Sequence, residues 1–195
     1  MLLPPILCLA QSLERTVTTL VGVIADTHVP QRLKCLPPDI ARVFDGVALI
    51  LHAGDINSQR VLDELKRIAP VVAVAGNADL WLDLPRSRIV QIEGCRIGLT
   101  HGHGGWRRYF LGKLRDKLGP YDLARYQRYA SEAFRDVDVV ISGHTHRPHL
   151  TYVGKVFLFN PGAVAPDYYT TTGPTVGLLR IKDGVARAEL VRLGC

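Results

Sequence analysis

Five of the seven histidines in this chain stand in three short clusters: "ADTH" with His28, "THGH" with His101 and His103, and "GHTH" with His144 and His146. Two further clusters, "GD" ending in Asp55 and "GNAD" with Asn77 and Asp79, offer oxygen donors like that of Asp26 in "ADTH". Carboxylate oxygens, imidazole nitrogens and an amide oxygen make a hard to borderline ligand set, suited to Mn, Fe, Co, Ni or Zn rather than to a cysteine-bound structural zinc. These groups outnumber what a single tetrahedral ion takes. Two ions about 3.5 to 4 Å apart, sharing a carboxylate, would use most of them and would clamp a phosphoryl centre for in-line displacement.

Such residues act together only if the fold delivers them to one place, and the stretches in front of them indicate how. The segment "TVTTLVGVIAD" (16–26) contains a β-branched apolar run that stops at an acid, the pattern of a buried strand ending at Asp26. "GVALILHAGD" (46–55) and "PVVAVAGNAD" (70–79) repeat that pattern. Between them, "SQRVLDELKRI" spaces Val61, Leu62, Leu65 and Ile68 at helical intervals behind Ser58 as N-cap, so the opening reads βαβ. Past Pro85, "RIVQIEGCRIGLTHGH" predicts two strands joined by a tight turn at Glu93-Gly94. A helix is predicted over 122–134, a strand in "VDVVISGH", and further strands with turns at Gly154-Lys155 and Asp183-Gly184. The expectation is a βα half followed by a β-rich half, forming an α/β sandwich of mixed sheets flanked by helices. Ligands in α/β folds bind beyond the carboxyl ends of strands, where all five clusters fall.

Singly these signals are weak, because "GD" and "GN" are ordinary turn dipeptides and "DTH" reads equally as a capping acid beside a surface histidine. Their joint occurrence is specific. The ordered series Asp26-Thr-His28, Gly54-Asp55, Gly76-Asn77, His101-Gly-His103 and Gly143-His144-Thr-His146 resembles that of the calcineurin-like metallophosphoesterases. "FNPGAV" (159–164) is similar to the Asn-Pro-Gly turn of their small bacterial and archaeal phosphodiesterase branch. The resemblance implies a four-layer αββα sandwich of two mixed sheets flanked by helices. It implies that Asp26, His28 and His146 hold one divalent ion, that Asn77, His101 and His144 hold the other, and that Asp55 bridges them. Mn stands first among the candidate metals, ahead of Fe, Ni, Co and Zn. The implied activity is hydrolysis of a phosphodiester by in-line attack of a hydroxide shared by the ions, with their charge offsetting that developing on the phosphoryl group.

Two departures from that pattern matter. Many relatives carry a histidine directly after the Asn of the third motif as proton donor to the leaving group; here the position is Ala78. General acid help contributes about 10² to 10⁴-fold, so the chain is expected to favour good leaving groups or to use another donor. His103, titratable and two residues from His101, is that candidate. The second departure is an insert at about 104–130, in which arginines and lysines alternate with Trp106, Tyr109, Phe110, Tyr121, Tyr126 and Tyr129. Its plainer reading is a solvated helical face whose aromatics pack on the core. Its functional reading is a surface that holds substrate phosphate or single-stranded nucleic acid. Trp106, Arg107 and Arg108, which follow the ligand turn, are then the expected substrate contacts. His52, inside an apolar run, and His149, behind Pro148, are expected outside the ligand set.

Composition narrows the classes further. An apolar share of 47% with 22% charged residues over 195 positions describes a folded chain of one domain, expected over 17–195 behind a poorly structured extension at 1–16. The apolar start of that extension has no preceding Lys or Arg and holds Pro4 and Pro5, against a secretory signal. Cys8, Cys35, Cys95 and Cys195 form no CxxC pair, which fits a reducing cytoplasm, and no run of about 18 apolar residues offers a membrane span. A net charge of +6 suits an anionic substrate but is thin for a dedicated nucleic-acid binder. A small phosphate ester is therefore the expected partner, with nucleic acid behind it. The alternatives are a phosphomonoesterase or nuclease on the same site, and a non-catalytic protein-binding module resembling the small retromer subunit. Lost ligand histidines would mark that last class, and none of the expected ones is missing.

Overall fold

The computed structural model describes residues 18–166 and 173–194. The expected extension at 1–16, together with Cys8 and Cys195, lies outside them. Strand β1 (Thr19–Ile24) shows the period of two that a strand buried on both faces requires: Leu20 and Ile24 face one apolar cluster, Val21 and Val23 the other. Through α1 (Asp39–Val43), β2 (Leu49–His52), α2 (Gln59–Lys66) and β3 (Val71–Ala73), the chain builds parallel neighbours for β1. Ile40 of α1 and Val61, Leu62 and Leu65 of α2 are buried against this sheet. Ser58 does stand at the start of α2 in extended backbone, but its hydroxyl makes no capping hydrogen bond.

The next strands, β4 (Ser87–Ile92) and β5 (Cys95–Thr100), form the predicted hairpin, with Glu93 and Gly94 both at positive φ as a primed turn demands. Helices α3 (Trp106–Leu118) and α4 (Leu123–Ser131) follow, and Asp122 caps α4 by accepting from the Arg125 N–H at 3.1 Å. The sequence predicts only the second of them. Strands β6 (Val139–Ile141), β7 (His149–Val153) and β8 (Val156–Asn160) complete a second sheet ordered β4-β5-β6-β8-β7.

The C-terminal hairpin, β9 (Thr175–Lys182) and β10 (Val185–Arg192), corrects the expectation of two successive halves. It returns to the first sheet and pairs antiparallel with β1, giving the order β10-β9-β1-β2-β3. The reason is that β2 satisfies only one edge of β1, and the buried N–H and C=O groups of the other edge need a partner. Between the sheets, Leu51, Ile97, Leu99, Ile141, Phe159 and Leu179 form the central core. Each such side chain stabilises the fold by about 1.5 to 3 kcal/mol through burial. Helices α1 and α2 cover the outer face of the first sheet, and α4 covers that of the second, so the layers run αββα.

Candidate metal centre

The five polar clusters sit just past β1, β2, β3, β5 and β6, and the two sheets carry them to a common end. The backbone there is strained. Asp26, His28, Asp55, His144 and His146 all adopt positive φ, between 46° and 70°. Left-handed backbone costs a non-glycine residue roughly 1 to 2 kcal/mol, so its concentration in five polar residues at one spot marks a place where side-chain direction outweighs local preference. The loops hold one another: the Asp26 N–H donates to Gly54 O at 3.0 Å, the His28 N–H to Asp55 O at 3.0 Å, and the His144 N–H to Asp26 Oδ2 at 3.0 Å. Two glycines make room. A Cβ on Gly76 would overlap Asp55 Oδ1, and one on Gly143 would stand 2.7 Å from Asp26 Oδ2.

The side-chain atoms converge on two foci. Around the first, His28 Nε2 lies 3.4 Å from His146 Nε2, 3.9 Å from Asp26 Oδ1 and 3.5 Å from Asp55 Oδ2, while His146 Nε2 lies 3.3 Å from Asp26 Oδ1. Around the second, His101 Nε2 lies 3.4 Å from Asp55 Oδ1 and 3.2 Å from Asn77 Oδ1, with the His144 ring 5.1 Å away edge-on. Asp55 thus presents one oxygen to each focus. Asp26 also reaches both, since Asp26, His28 and His146, and likewise Asp26, Asp55 and His101, each place ligand atoms within 4.8 Å of one another.

Surrounding groups aim these donors. His28 Nδ1 pairs with Asn57 Oδ1 at 3.0 Å, and His101 Nδ1 with Ala53 O at 2.8 Å, which turns Nε2 of both rings toward the foci. His52 is buried as expected, its Nδ1 accepting from the Gly54 N–H at 3.2 Å, and His149 Nδ1 pairs with Arg147 O away from the foci. Two residues organise the loops in a way the sequence does not show: Asp79, expected there only as a further oxygen donor, and Asn160. Asp79 accepts from the N–H groups of Ile56, Asn57 and Gly76 and is spent on the loops rather than the foci. Asn160 donates to Gly143 O at 2.8 Å and to Thr145 Oγ1 at 3.2 Å, clamping the "GHTH" turn from the "FNPGAV" segment. In both cases the residue is visible in a motif, but the backbone partner is not.

Burial works to raise the carboxyls of Asp26 and Asp55, but the neighbouring imidazoles overcome it and hold both below the usual carboxylate range. Burial likewise works to lower His101, yet the two carboxylates push it up to about 9. His144 and His52, dominated by burial, fall to about 3. Two buried carboxylates draw positive charge to this spot. A proton on His101 is one way to supply it, and a divalent cation is a stronger one. Asp26 Oδ1 is buried and faces the imidazole nitrogens of His146, at 3.3 Å, and His28, at 3.9 Å, as befits an oxygen kept for an ion.

The insert reaches the site with different residues from those expected. Arg108 pairs with Glu132 at 2.7 Å and lies over the Tyr129 ring, lining a small cavity of about 220 Å³ with His103 and Arg86. Arg107 is exposed and lines neither that cavity nor the larger one, and Trp106 packs against His103 at 6.2 Å. A cavity of about 780 Å³ opens over Asp55, His28, His144 and His146, and the insert walls it with Tyr109, Lys113, Lys117, Tyr121 and Tyr126. Positions 109, 113 and 117 share a helix face, a signal that becomes readable once α3 is recognised as a helix. His103 turns to the smaller cavity, its ring 5.5 Å from His101, and burial lowers it to about 4.

Known proteins resemble this chain in sequence or in fold. A probable metallophosphoesterase of Methanothermobacter thermautotrophicus is 38% identical over 177 residues, spanning 90% of this chain and 93% of that one. Among solved structures, vacuolar protein sorting 29 of Cryptosporidium parvum has a TM-score of 0.66 at 23% identity, over 89% of this chain and 97% of its own. Vps29 of Entamoeba histolytica complexed with Zn²⁺ has a TM-score of 0.61 at 25% identity, over 89% of this chain and 98% of its own. The model of the calcineurin-like phosphoesterase superfamily domain matches residues 20–184, a span that takes in all five clusters. With fold, clusters and family model in agreement over that span, the chain belongs to the calcineurin-like phosphoesterase superfamily.

Proposed function

We propose that this protein is a dimetal-dependent phosphodiesterase, with Asp26, His28 and His146 at one ion, Asn77, His101 and His144 at the other, and Asp55 between them. The observation that carries the reading is the pair of foci, each faced by one oxygen of Asp55 and by imidazole nitrogens oriented from behind. Two divalent ions held there, with Mn²⁺ the first candidate, would supply an activated water and neutralise charge on the phosphoryl oxygens. The chain does the rest. Paired backbone loops fix the donors before substrate arrives, and the Ala78 N–H donates to Asp55 Oδ1 at 2.8 Å, so the bridging carboxylate keeps its direction. The 780 Å³ cavity is far larger than a phosphate and leaves room for both substituents of a diester.

Leaving-group protonation is the weak point of this site. His103 is the nearest titratable candidate, but burial holds it near 4, so at neutral pH it is uncharged and offers little acid help. Esters with good leaving groups are therefore the fastest expected substrates. Among the described residues Cys35 and Cys95 are free thiols, which supports a reducing compartment such as the cytoplasm, and no helix there is long and apolar enough to cross a membrane.

A non-catalytic role has one observation in its favour: α3 exposes Phe110, Leu111, Leu114 and Leu118, a surface a protein partner could cover, on a fold shared with proteins named for vacuolar sorting. Because one such protein is complexed with Zn²⁺, ion binding does not separate the readings and turnover does. The test is hydrolysis of bis(p-nitrophenyl) phosphate by EDTA-stripped protein given Mn²⁺ or Ni²⁺, comparing wild type with Asp55→Asn. Loss of at least about 10²-fold is expected from removing a bridging charge. Equal rates from the two proteins would sink the phosphodiesterase reading.

A further inference from the structure

Beyond the metal foci, the large cavity is lined by Arg32, Lys113, Lys117 and Arg147. These cations are placed rather than scattered. The Lys113 ammonium sits 4.7 Å from the centre of the Tyr109 ring, and Tyr109 packs 5.7 Å from the His144 ring. The Arg147 guanidinium lies 4.3 Å over Tyr121 and belongs to the residue that directly follows His146. Arg32 is tied to the His28 loop through its backbone, whose N–H donates to His28 O at 2.8 Å, and its side chain is exposed. The cations of Lys113 and Arg147 are thus held beside residues proposed as ligands or their neighbours.

The acid that faces them is already occupied. Asp116, the only carboxylate besides Asp55 among the residues lining the cavity, accepts from the Tyr126 hydroxyl at 2.7 Å and pairs with Arg125. The aromatic rings are occupied as well: Tyr121 and Tyr126 stack on each other at 5.6 Å, and Lys113, Arg125 and Arg147 lie over the rings of Tyr109, Tyr126 and Tyr121. Rings used to position cations are poorly placed to stack a base, so the cavity recognises charge. The scissile phosphate has no need of that charge, since two divalent ions offset by Asp26, Asp55 and a shared hydroxide would leave about one positive charge, enough for the single negative charge of a diester. A second anion is what the extra cations suit.

We propose that Lys113 and Arg147, with Lys117 and Arg32, form a second anion subsite, and that the preferred substrate is a small phosphoester bearing a further phosphate. This rests on the phosphodiesterase reading for the first phosphate. The substrate enters with its scissile ester at the foci and its second phosphate among the ring-held cations, where charge-assisted hydrogen bonds fix its orientation.

The test is calorimetric binding, with Mn²⁺ present, of thymidine 3′,5′-bisphosphate and of thymidine 5′-monophosphate, backed by turnover of their 5′-p-nitrophenyl esters. Wild type should bind the bisphosphate at least about tenfold more tightly, as expected for two or more charge-assisted contacts. The doubly substituted protein, Lys113→Gln with Arg147→Gln, should lose most of that preference, and each single variant part of it. Arg115→Gln removes the same charge from α3 at a residue that does not line the cavity, and should keep the preference. Thermal melts check folding, and because both replaced side chains lie at the surface or only half-buried, the variants should melt like wild type. Equal affinity of wild type for the two nucleotides would overturn the subsite, as would loss of preference in Arg115→Gln to match the double variant. Tighter binding of an oligothymidylate than of the bisphosphate would overturn the small-substrate assignment. Preference in binding without turnover of either ester would instead refute the phosphodiesterase reading while leaving the subsite standing.

Discussion

Asp79→Asn tests whether the ligand loops are held from behind. Asp79 is buried, and its Oδ1 accepts from the N–H groups of Ile56 at 2.8 Å and Asn57 at 2.7 Å while Oδ2 accepts from that of Gly76 at 2.8 Å. One side chain thereby ties the loop carrying Asp55 to the loop carrying Asn77. A hydrogen bond to a charged group contributes about 1.5 to 3 kcal/mol, and truncation to alanine would orphan three donors at a cost of about 3 to 5 kcal/mol after allowing for relaxation. That is a large part of a typical domain stability of about 5 to 15 kcal/mol, so alanine risks unfolding the chain. Asparagine keeps one acceptor oxygen and turns an amide N–H toward one of the donors, and the expected loss is about 1.5 to 3 kcal/mol. Because both loops carry proposed ligands, Mn²⁺ affinity should fall by about 10- to 100-fold. Urea unfolding in EDTA reads the first quantity and calorimetric Mn²⁺ titration the second. Mn²⁺ affinity within a factor of two of wild type, measured on folded Asp79→Asn, would refute the reasoning.

Two further outcomes are expected. His52 is buried and held by burial at about 3, below its unfolded value, so its contribution to stability is complete above about pH 6.5 and is lost as pH falls from there toward 3. His52→Gln should flatten the acid limb of the stability–pH curve of EDTA-treated protein by up to about 1.4 kcal/mol per pH unit, and identical limbs would contradict the assignment. Gly76→Ala would drive a Cβ into Asp55 Oδ1, so Mn²⁺ titration should show binding weakened by more than about tenfold while circular dichroism stays native; unchanged affinity would mean that Asp55 is not pressed against that turn.

The sequence was most legible where one residue decides a local event. Apolar strands that stop at Asp26, Asp55 or His144 announce both the strand and the donor, and Glu93-Gly94 announces its hairpin through two left-handed residues. It was least legible where distant partners decide. Nothing in the periodicity of β9 says that it closes the open edge of β1, because pairing across some 150 residues leaves no local mark. Helix α3 was hidden for a different reason. Gly112, a poor helix former, lies in its middle, and Phe110, Leu111, Leu114 and Leu118 face solvent, so its apolar residues trace no buried stripe. Without the helix, the face that Tyr109, Lys113 and Lys117 share toward the larger cavity could not be picked out, and attention fell on Arg107 and Arg108, of which Arg108 lines the smaller cavity.

The left-handed backbone at Asp26, His28, Asp55, His144 and His146 has a historical consequence. Glycine adopts that conformation without the penalty of roughly 1 to 2 kcal/mol that each of these residues incurs, so any lineage released from the need to aim these side chains would be relieved of that strain by exchanging them. Drift after such a release has a direction: glycine should appear at these five codons before the apolar core between the sheets begins to change. A descendant's residues at those places then record whether the aim of these side chains is still under selection.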